Sequence, residues 1–186
     1  MKNKKKDSIW IEFIKSIAIS LVIVYLLTTF MIKPIRVNGS SMYPTLHDQS
    51  FGFSNVMSLK LFGLKRFDIA VVYDKELKEY LVKRVIGLPG ETIQVLDGVL
   101  LINNQVTDQP FLDSAYVSSQ EAQLGHKFTS DFGPILILSD QVFLMGDNRP
   151  HSTDSRVLGA FKISDVLCKD AYILWPLDQI SFKLGD

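Results

Sequence analysis

Residues 17–32 read IAISLVIVYLLTTFMI, an uncharged run closed by Lys33 and Pro34. A run this apolar must be kept from water, although it falls slightly short of the roughly 20 residues that span a bilayer. The turns before it extend the apolar face through Ile9, Trp10, Ile11, Phe13 and Ile14. Trp10 suits a membrane interface, and Lys15 can snorkel toward water. Pro34 cannot continue a regular helix. A cleavable leader needs small residues after its apolar core, whereas this exit reads Thr-Thr-Phe-Met-Ile-Lys-Pro. The reading is therefore an uncleaved, single-pass anchor over 9–33. The lysines of the basic stretch 1–8 hold the N-terminus on the cytoplasmic side, which leaves 34–186 on the outer face of the plasma membrane.

The remaining length suits one domain with at most a small elaboration. Residues 1–33 carry six lysines against Asp7 and Glu12, and the body beyond them carries 14 basic and 18 acidic residues. A mildly acidic body argues against a nucleic-acid partner, which calls for a basic face. Cys168 is the single cysteine, so an intrachain disulfide and a cysteine-rich zinc site are excluded. Its neighbours Val166 and Leu167 make it a buried small hydrophobe rather than a nucleophile. The three histidines have no close ligand spacing, no phosphate-binding glycine loop opens a helix, and neither metal nor cofactor is expected.

Past the anchor, strand-length apolar segments recur at 35–37, 50–55, 69–73, 80–88, 92–96, 99–102, 141–145 and 171–175. Val, Ile, Phe and Tyr dominate many of them. Asp97-Gly98 between two runs is a hairpin signal. The only weak helical candidate after residue 35 is 113–124. The body is mainly β, with a polar surface excursion at about 107–134.

Three segments carry chemistry. The first, Gly39-Ser40-Ser41-Met42-Tyr43-Pro44-Thr45-Leu46, follows the anchor so closely that Ser41 lies at most about 30 Å of extended chain from Ile32. On its own it reads as a loop. The second is the strand Tyr80-Leu81-Val82-Lys83-Arg84-Val85-Ile86, where both cations have apolar neighbours on their own faces. From an edge strand both would snorkel. If both faces are buried, Arg84 requires a carboxylate. Lys83 instead can be neutralised by desolvation, against a cost of about 4.6 kcal/mol at pH 7 for an ordinary lysine. A neutral amine beside a serine hydroxyl can act as general base. The third segment, Gly146 to Arg156, packs Asp147, Asp154, Arg149, Arg156, Ser152 and Ser155 behind a strand end. Exposed, it would be an ordinary ion-pair loop. His47, His126 and His151 remain formally open as the base of a Ser-His-Asp triad, but none has a neighbourhood that explains its tuning.

Together these segments resemble the type I signal peptidases, membrane-anchored serine proteases that remove signal peptides, and the match suggests a Gram-positive type. The Ser41-Met42 stretch is similar to the nucleophile box, and Lys83-Arg84-Val85-Ile86-Gly87-Leu88-Pro89-Gly90 to the general-base box. Gly146-Asp147-Asn148-Arg149 with Ser152, Asp154, Ser155 and Arg156 is similar to the last box, and Arg66-Phe67-Asp68-Ile69-Ala70-Val71-Val72 to a structural one. The boxes and anchor occur in family order over nearly the whole chain.

The resemblance implies an antiparallel β catalytic core with Ser41 as nucleophile and Lys83 as general base. Ser152 would orient the lysine, and Arg84–Asp147 and Asp154–Arg156 would form supporting ion pairs. The Ser41 N–H would be one oxyanion donor; Gly39 stands where some members place a donating serine, which leaves the second donor open to a backbone N–H or a water. Substrates would be signal peptides of exported preproteins with small residues at −1 and −3, in pockets lined by Ile35, Val37, Met42 and Leu81. The bilayer is the other expected partner; oligomeric state is not indicated. Two other readings are a non-catalytic membrane-tethered β domain that assists surface-structure assembly and a self-cleaving Ser-Lys regulator. Retention of Ser41 and Lys83 weighs against the first, and the anchor against the second.

Overall fold

The computed structural model describes residues 3–180. Met1 and Lys2 of the basic stretch and residues 181–186 of the body lie outside the described residues. Helix α1 (Asn3–Phe30) contains the apolar segment Ile9–Thr28, 20 residues long and exposed throughout. At about 1.5 Å per residue that segment measures about 30 Å, the thickness of a bilayer's hydrocarbon core.

The body follows as β1 (Ile32–Arg36), β2 (Phe51–Asn55), α2 (Val56–Phe62), β3 (Ile69–Asp74), β4 (Glu79–Gly87), β5 (Thr92–Leu96), β6 (Val99–Ile102) and β7 (Gln105–Val106). It continues through α3 (Ser114–Leu124), β8 (Phe132–Leu136), β9 (Gln141–Met145), α4 (Ser155–Leu158), β10 (Phe161–Lys162) and β11 (Val166–Trp175). A seven-stranded sheet has the order β1-β2-β11-β3-β4-β9-β10, and a four-stranded one the order β7-β6-β5-β8. All the strand pairs are antiparallel. The mainly β antiparallel architecture is thus as expected.

Local chemistry explains most boundaries. Asp97 and Gly98 form a two-residue turn with φ of 49° and 77°, joining Leu96 to its partner Val99. Positive φ at both positions is what a type I′ hairpin needs. Asp113 caps α3 by accepting the Tyr116 N–H, and Gly125 ends it in the left-handed region. The strand expected at 35–37 begins earlier, because residues 32–36 pair with β2 as soon as the anchor ends. Helix α2 was not anticipated: it follows β2 without a breaker and is too short to show a period. Its cap is Asn55, which accepts the Ser58 N–H. Strand β8 contains Pro134, which is compatible only with its place at a sheet edge.

Both faces of the large sheet are covered. One apolar cluster joins Ile35, Val37, Met42, Leu46, Ile69, Val71, Cys168 and Ile173, while another joins Ala70, Val72, Val85, Leu144 and Phe161. Cys168 is buried as expected, and burial pushes its thiol pKa up. Charge enters this core at Lys169, whose ammonium donates to Asp68 at 2.8 Å with both side chains buried. Asp68 also bonds β4 through its main chain, accepting the Val85 N–H.

Removing one partner of such a pair strands the other charge in the core, at about 3–5 kcal/mol. Asp68→Ala is therefore expected to lower the unfolding midpoint in detergent by several degrees. Asp68→Leu combined with Lys169→Met should recover most of the loss, and an unchanged midpoint in the single variant would contradict this account.

Candidate active site

Val37 opens and closes the turn that carries Ser41: its N–H donates to Ser50 O and its carbonyl accepts the Gln49 N–H. Gly39, at φ +86° with open space around it, turns the chain and donates its N–H to Asp48 Oδ1. Met42 and Leu46, each 1% exposed, plug this turn into the core. Ser41, directly before Met42, is half-buried. Its carbonyl accepts the Asn148 N–H at 3.0 Å, while its own N–H and hydroxyl enter none of the hydrogen bonds among the described residues.

Lys83 lies on β4, and the pairing of that strand is uneven. Residues 79–84 pair with β3, but β9 joins the other side only from Arg84 onward. The segment 79–83 therefore presents an open edge, as does β1, which pairs only with β2. Between these edges lies a groove of about 540 Å³ bordered by Lys33, Ile35 and Arg36 on one side and Glu79, Tyr80 and Leu81 on the other. It adjoins a smaller cavity of about 50 Å³ shared by Val37, Met42, Leu81, Ser41 and Lys83. The nucleophile and amine of the sequence reading thus line one small space at the groove's end.

Lys83 is 3% exposed. Burial pulls its pKa down from 10.5 to about 8, with Asp154 opposing the shift and Arg156 assisting it. At that pKa an appreciable fraction is neutral near pH 7. Burial pushes the Asp154 carboxyl up, but the Arg156 guanidinium outweighs this, and the carboxyl is held below its ordinary value. Arg156 grips it through Nε and Nη2, each at 2.9 Å.

The loop after β9 ties these parts together. Asp147, fully buried, accepts Arg84 Nε at 2.9 Å and Nη2 at 2.7 Å, and Thr45 Oγ1 at 2.6 Å. One carboxylate so links the lysine strand to the serine turn. Asn148 Nδ2 adds a bond to Ser40 O at 3.1 Å. Gly146 donates to Asp154 Oδ2, and a Cβ there would meet Ser152 Oγ at 2.3 Å and the Ser41 carbonyl at 2.4 Å. Only glycine lets the Ser41 turn and Ser152 approach so closely. The Ser152 hydroxyl oxygen is buried with no partner among the described residues.

Several contributors were not singled out from sequence. Thr45 is one. Arg149, 1% exposed, donates to Gly146 O, Thr129 Oγ1 and Gln109 Oε1. Phe111 lies 4.1 Å from the Arg84 guanidinium carbon, stacked over the cation. Gln109, Phe111 and Thr129 belong to the stretch 107–134, which therefore faces the charged core as well as solvent. None of the three histidines lines the Ser41–Lys83 cavity: His47 packs against Tyr43 with ring centroids 5.0 Å apart and tilted by 59°, and His126 and His151 are exposed. No cluster able to hold a metal exists among the described residues.

The family model described as signal peptidase, peptidase S26, matches residues 10–175. The chain is 39% identical to signal peptidase I P of Bacillus subtilis subsp. natto over 96% of each chain. It is 37% identical to signal peptidase I T of Bacillus subtilis strain 168, over 95% of this chain and 91% of that one. A crystal structure of a signal peptidase I from Enterococcus faecalis V583 is similar with a TM-score of 0.51 and 31% identity, covering 57% of this chain and 95% of the other.

The electrostatics predict an ordered response at Lys83. Followed by NMR of labelled lysine side chains in detergent, Lys83 should titrate near pH 8. Asp154→Asn removes the charge that holds the proton on, so its pKa should fall further. A rise would show that burial is not the dominant cause.

Proposed function

The chain belongs to the signal peptidase family S26 and cleaves signal peptides from preproteins; we propose that it does so with Ser41 as nucleophile and Lys83 as general base. The observation that carries this reading is the small cavity that Ser41 and Lys83 both line, with the lysine buried and its pKa lowered to about 8. Neutral Lys83 Nζ takes the Ser41 proton as Oγ attacks the carbonyl carbon of residue −1. Charge builds on the carbonyl oxygen, and the Ser41 N–H donates to it. As the tetrahedral intermediate collapses, the lysine ammonium gives its proton to the departing amine, leaving an acyl-serine and a neutral lysine. That lysine then deprotonates a water, which attacks the ester, and the proton returns to Ser41.

The supporting residues divide the remaining work. Ser152, with its buried and unpartnered hydroxyl, orients Lys83. Asp154 and Arg156 set the local charge, while Arg84 and Asp147 hold strand and turn in register. Met42 fixes the serine by its plug. Gly39 supplies no side-chain donor, and its open surroundings leave room for a group other than its own side chain as second oxyanion donor.

The substrate enters as an extended strand between the open edges of β1 and β4. Both edges run the same way, from Lys33 and Glu79 toward Asn38 and Lys83, and a substrate whose N-terminal side lies at the Lys33 end is parallel to both. Alternate side chains then face the wall. Residue −1 meets the cavity of about 50 Å³, which admits a small side chain and rejects a large one. Val37, Met42 and Leu81 border that cavity, and Ile35 and Leu81 the groove before it, where residue −3 lies. The membrane end of the groove is Lys33, directly after the anchor, which suits a substrate whose apolar core is still in the bilayer. The N-terminus is cytoplasmic and the body lies on the outer face.

Ser41→Ala and Lys83→Ala should each abolish preprotein cleavage in detergent while the unfolding midpoint persists. Lys83→Arg should be equally inactive, because guanidinium stays protonated. For the wild type, kcat/KM should rise with pH through about 8 as the lysine loses its proton. Full activity in either alanine variant, or a flat profile across that titration, would overturn the dyad.

A further inference from the structure

The segment 109–129 touches all three parts of the candidate site without lining the groove or the cavity beside it. Phe111 stands over the Arg84 guanidinium at 4.1 Å and packs against Phe67 with ring centroids 5.1 Å apart. Gln109 and Thr129 accept hydrogen bonds from the Arg149 guanidinium. Tyr116, on the first turn of α3, sets its ring edge-on against Tyr43 of the serine turn, the centroids 5.5 Å apart. We infer that Tyr116 is a positioning residue: through Tyr43 it holds the turn that carries Ser41 in place against the Lys83 strand. This rests on the Ser41–Lys83 reading.

Tyr116 is itself firmly held. Its N–H donates to Asp113 Oδ1 at 2.7 Å, and its ring meets that of Phe128 at 5.8 Å. Phe128 is 3% exposed and its N–H donates to Glu121 Oε1 at 2.9 Å. Thr129, next in the chain, is tied to Arg149, and Phe111, two residues before the cap of α3, is seated on Arg84. Helix α3 buries none of its residues fully, so Tyr116 adds little to the core. What its ring does reach is the serine turn.

The contact closes a circuit. Asp147 joins Arg84 to Thr45 from one side. The path from Arg84 through Phe111 and Tyr116 to Tyr43 returns to the same turn, two residues from Thr45. Asn148 restrains the main chain at Ser40 and Ser41. The Tyr43 side chain is 38% exposed, and the rings it meets are those of His47, in its own turn, and Tyr116. Tyr116 is thus the ring that braces Tyr43 from outside the turn. Because the rate of attack falls steeply when reacting atoms are misplaced, a looser turn costs turnover. It does not cost substrate binding, since neither Tyr43 nor Tyr116 lines the groove or the cavity.

The test is a double-mutant cycle with the full-length enzyme in detergent and one preprotein. Tyr116→Ala and Tyr43→Ala should each lower kcat on the order of tenfold and leave KM unchanged. The two together should lose no more than either alone, because each removes the same contact. A loss of folded enzyme would instead multiply in the double variant. Tyr116→Phe should keep the wild-type kcat, since the Tyr116 hydroxyl forms no hydrogen bond among the described residues. The pH midpoint of kcat/KM, about 8, should stay in place, because Lys83 and its charged neighbours are untouched. Tyr116→Leu, which keeps apolar bulk on α3, runs through the same cycle, so the result does not hang on alanine being tolerated. Wild-type kcat in both Tyr116→Ala and Tyr116→Leu, losses that multiply, a raised KM or a moved midpoint would each overturn the inference while the dyad stands. Cleavage by Ser41→Ala, assayed alongside, would overturn the dyad itself.

Discussion

Asp147 is the point at which three distant parts of the chain become one site. Its two carboxylate oxygens are shared by Arg84 of β4 and Thr45 of the serine turn, and it sits at the head of the loop after β9. A bidentate guanidinium–carboxylate pair fixes orientation as well as distance. Because Arg84 is adjacent to Lys83 on one strand, holding the guanidinium also holds the amine, and the same carboxylate holds the serine turn. Burying such a pair adds little net stability, since desolvation offsets most of the attraction. What it supplies is alignment, and Phe111 over the Arg84 guanidinium and Phe67 O on its Nη1 complete the enclosure.

That enclosure has a second consequence, for protons. Lys83 lies in a strand whose surroundings are dry enough to pull its pKa to about 8, yet Asp154 acts in the opposite direction. Left unpaired, that carboxylate would stabilise the ammonium and defeat the desolvation. Arg156 neutralises it through two hydrogen bonds, so the amine feels mainly its apolar setting. Desolvation makes a buried lysine a base at moderate pH, and pairing the nearby carboxylate with Arg156 limits how far that carboxylate opposes it.

Much of this was legible in the sequence, for identifiable reasons. The hairpin at Asp97-Gly98 announces itself because positive φ at both central positions admits few residues. Lys83 and Arg84 stand out because cations on apolar strand faces demand an explanation, and the charged loop 146–156 offered partners. Thr45, Gln109 and Thr129 could not be found in the same way. Each is a small or neutral polar residue in loop-like sequence, and its role comes from a partner far along the chain. Arg149 lay inside the recognised loop, but only burial distinguishes it from an exposed neighbour. Helix α2 left no periodic trace in seven residues. Residues 107–134 were read from their polarity as an excursion, although Phe111 and Thr129 turn back into the charged core.

The anchor and the site are also geometrically one device. Strand β1 leaves the end of α1 directly, and its free edge is a wall of the groove that leads to Ser41. Its five residues span about 17 Å at the usual rise of a strand. In the proposed register the substrate runs alongside β1 from the same membrane exit, so it too covers that distance before reaching the serine. The separation between a signal peptide's apolar core and its cleaved bond would then be measured by the enzyme's own first strand. In that register, pockets for small side chains would select among bonds, but only among those that arrive at that height above the bilayer. Anchoring thus contributes register in addition to local concentration. In the same reading, a body released from its helix would keep the proposed dyad and lose the ruler.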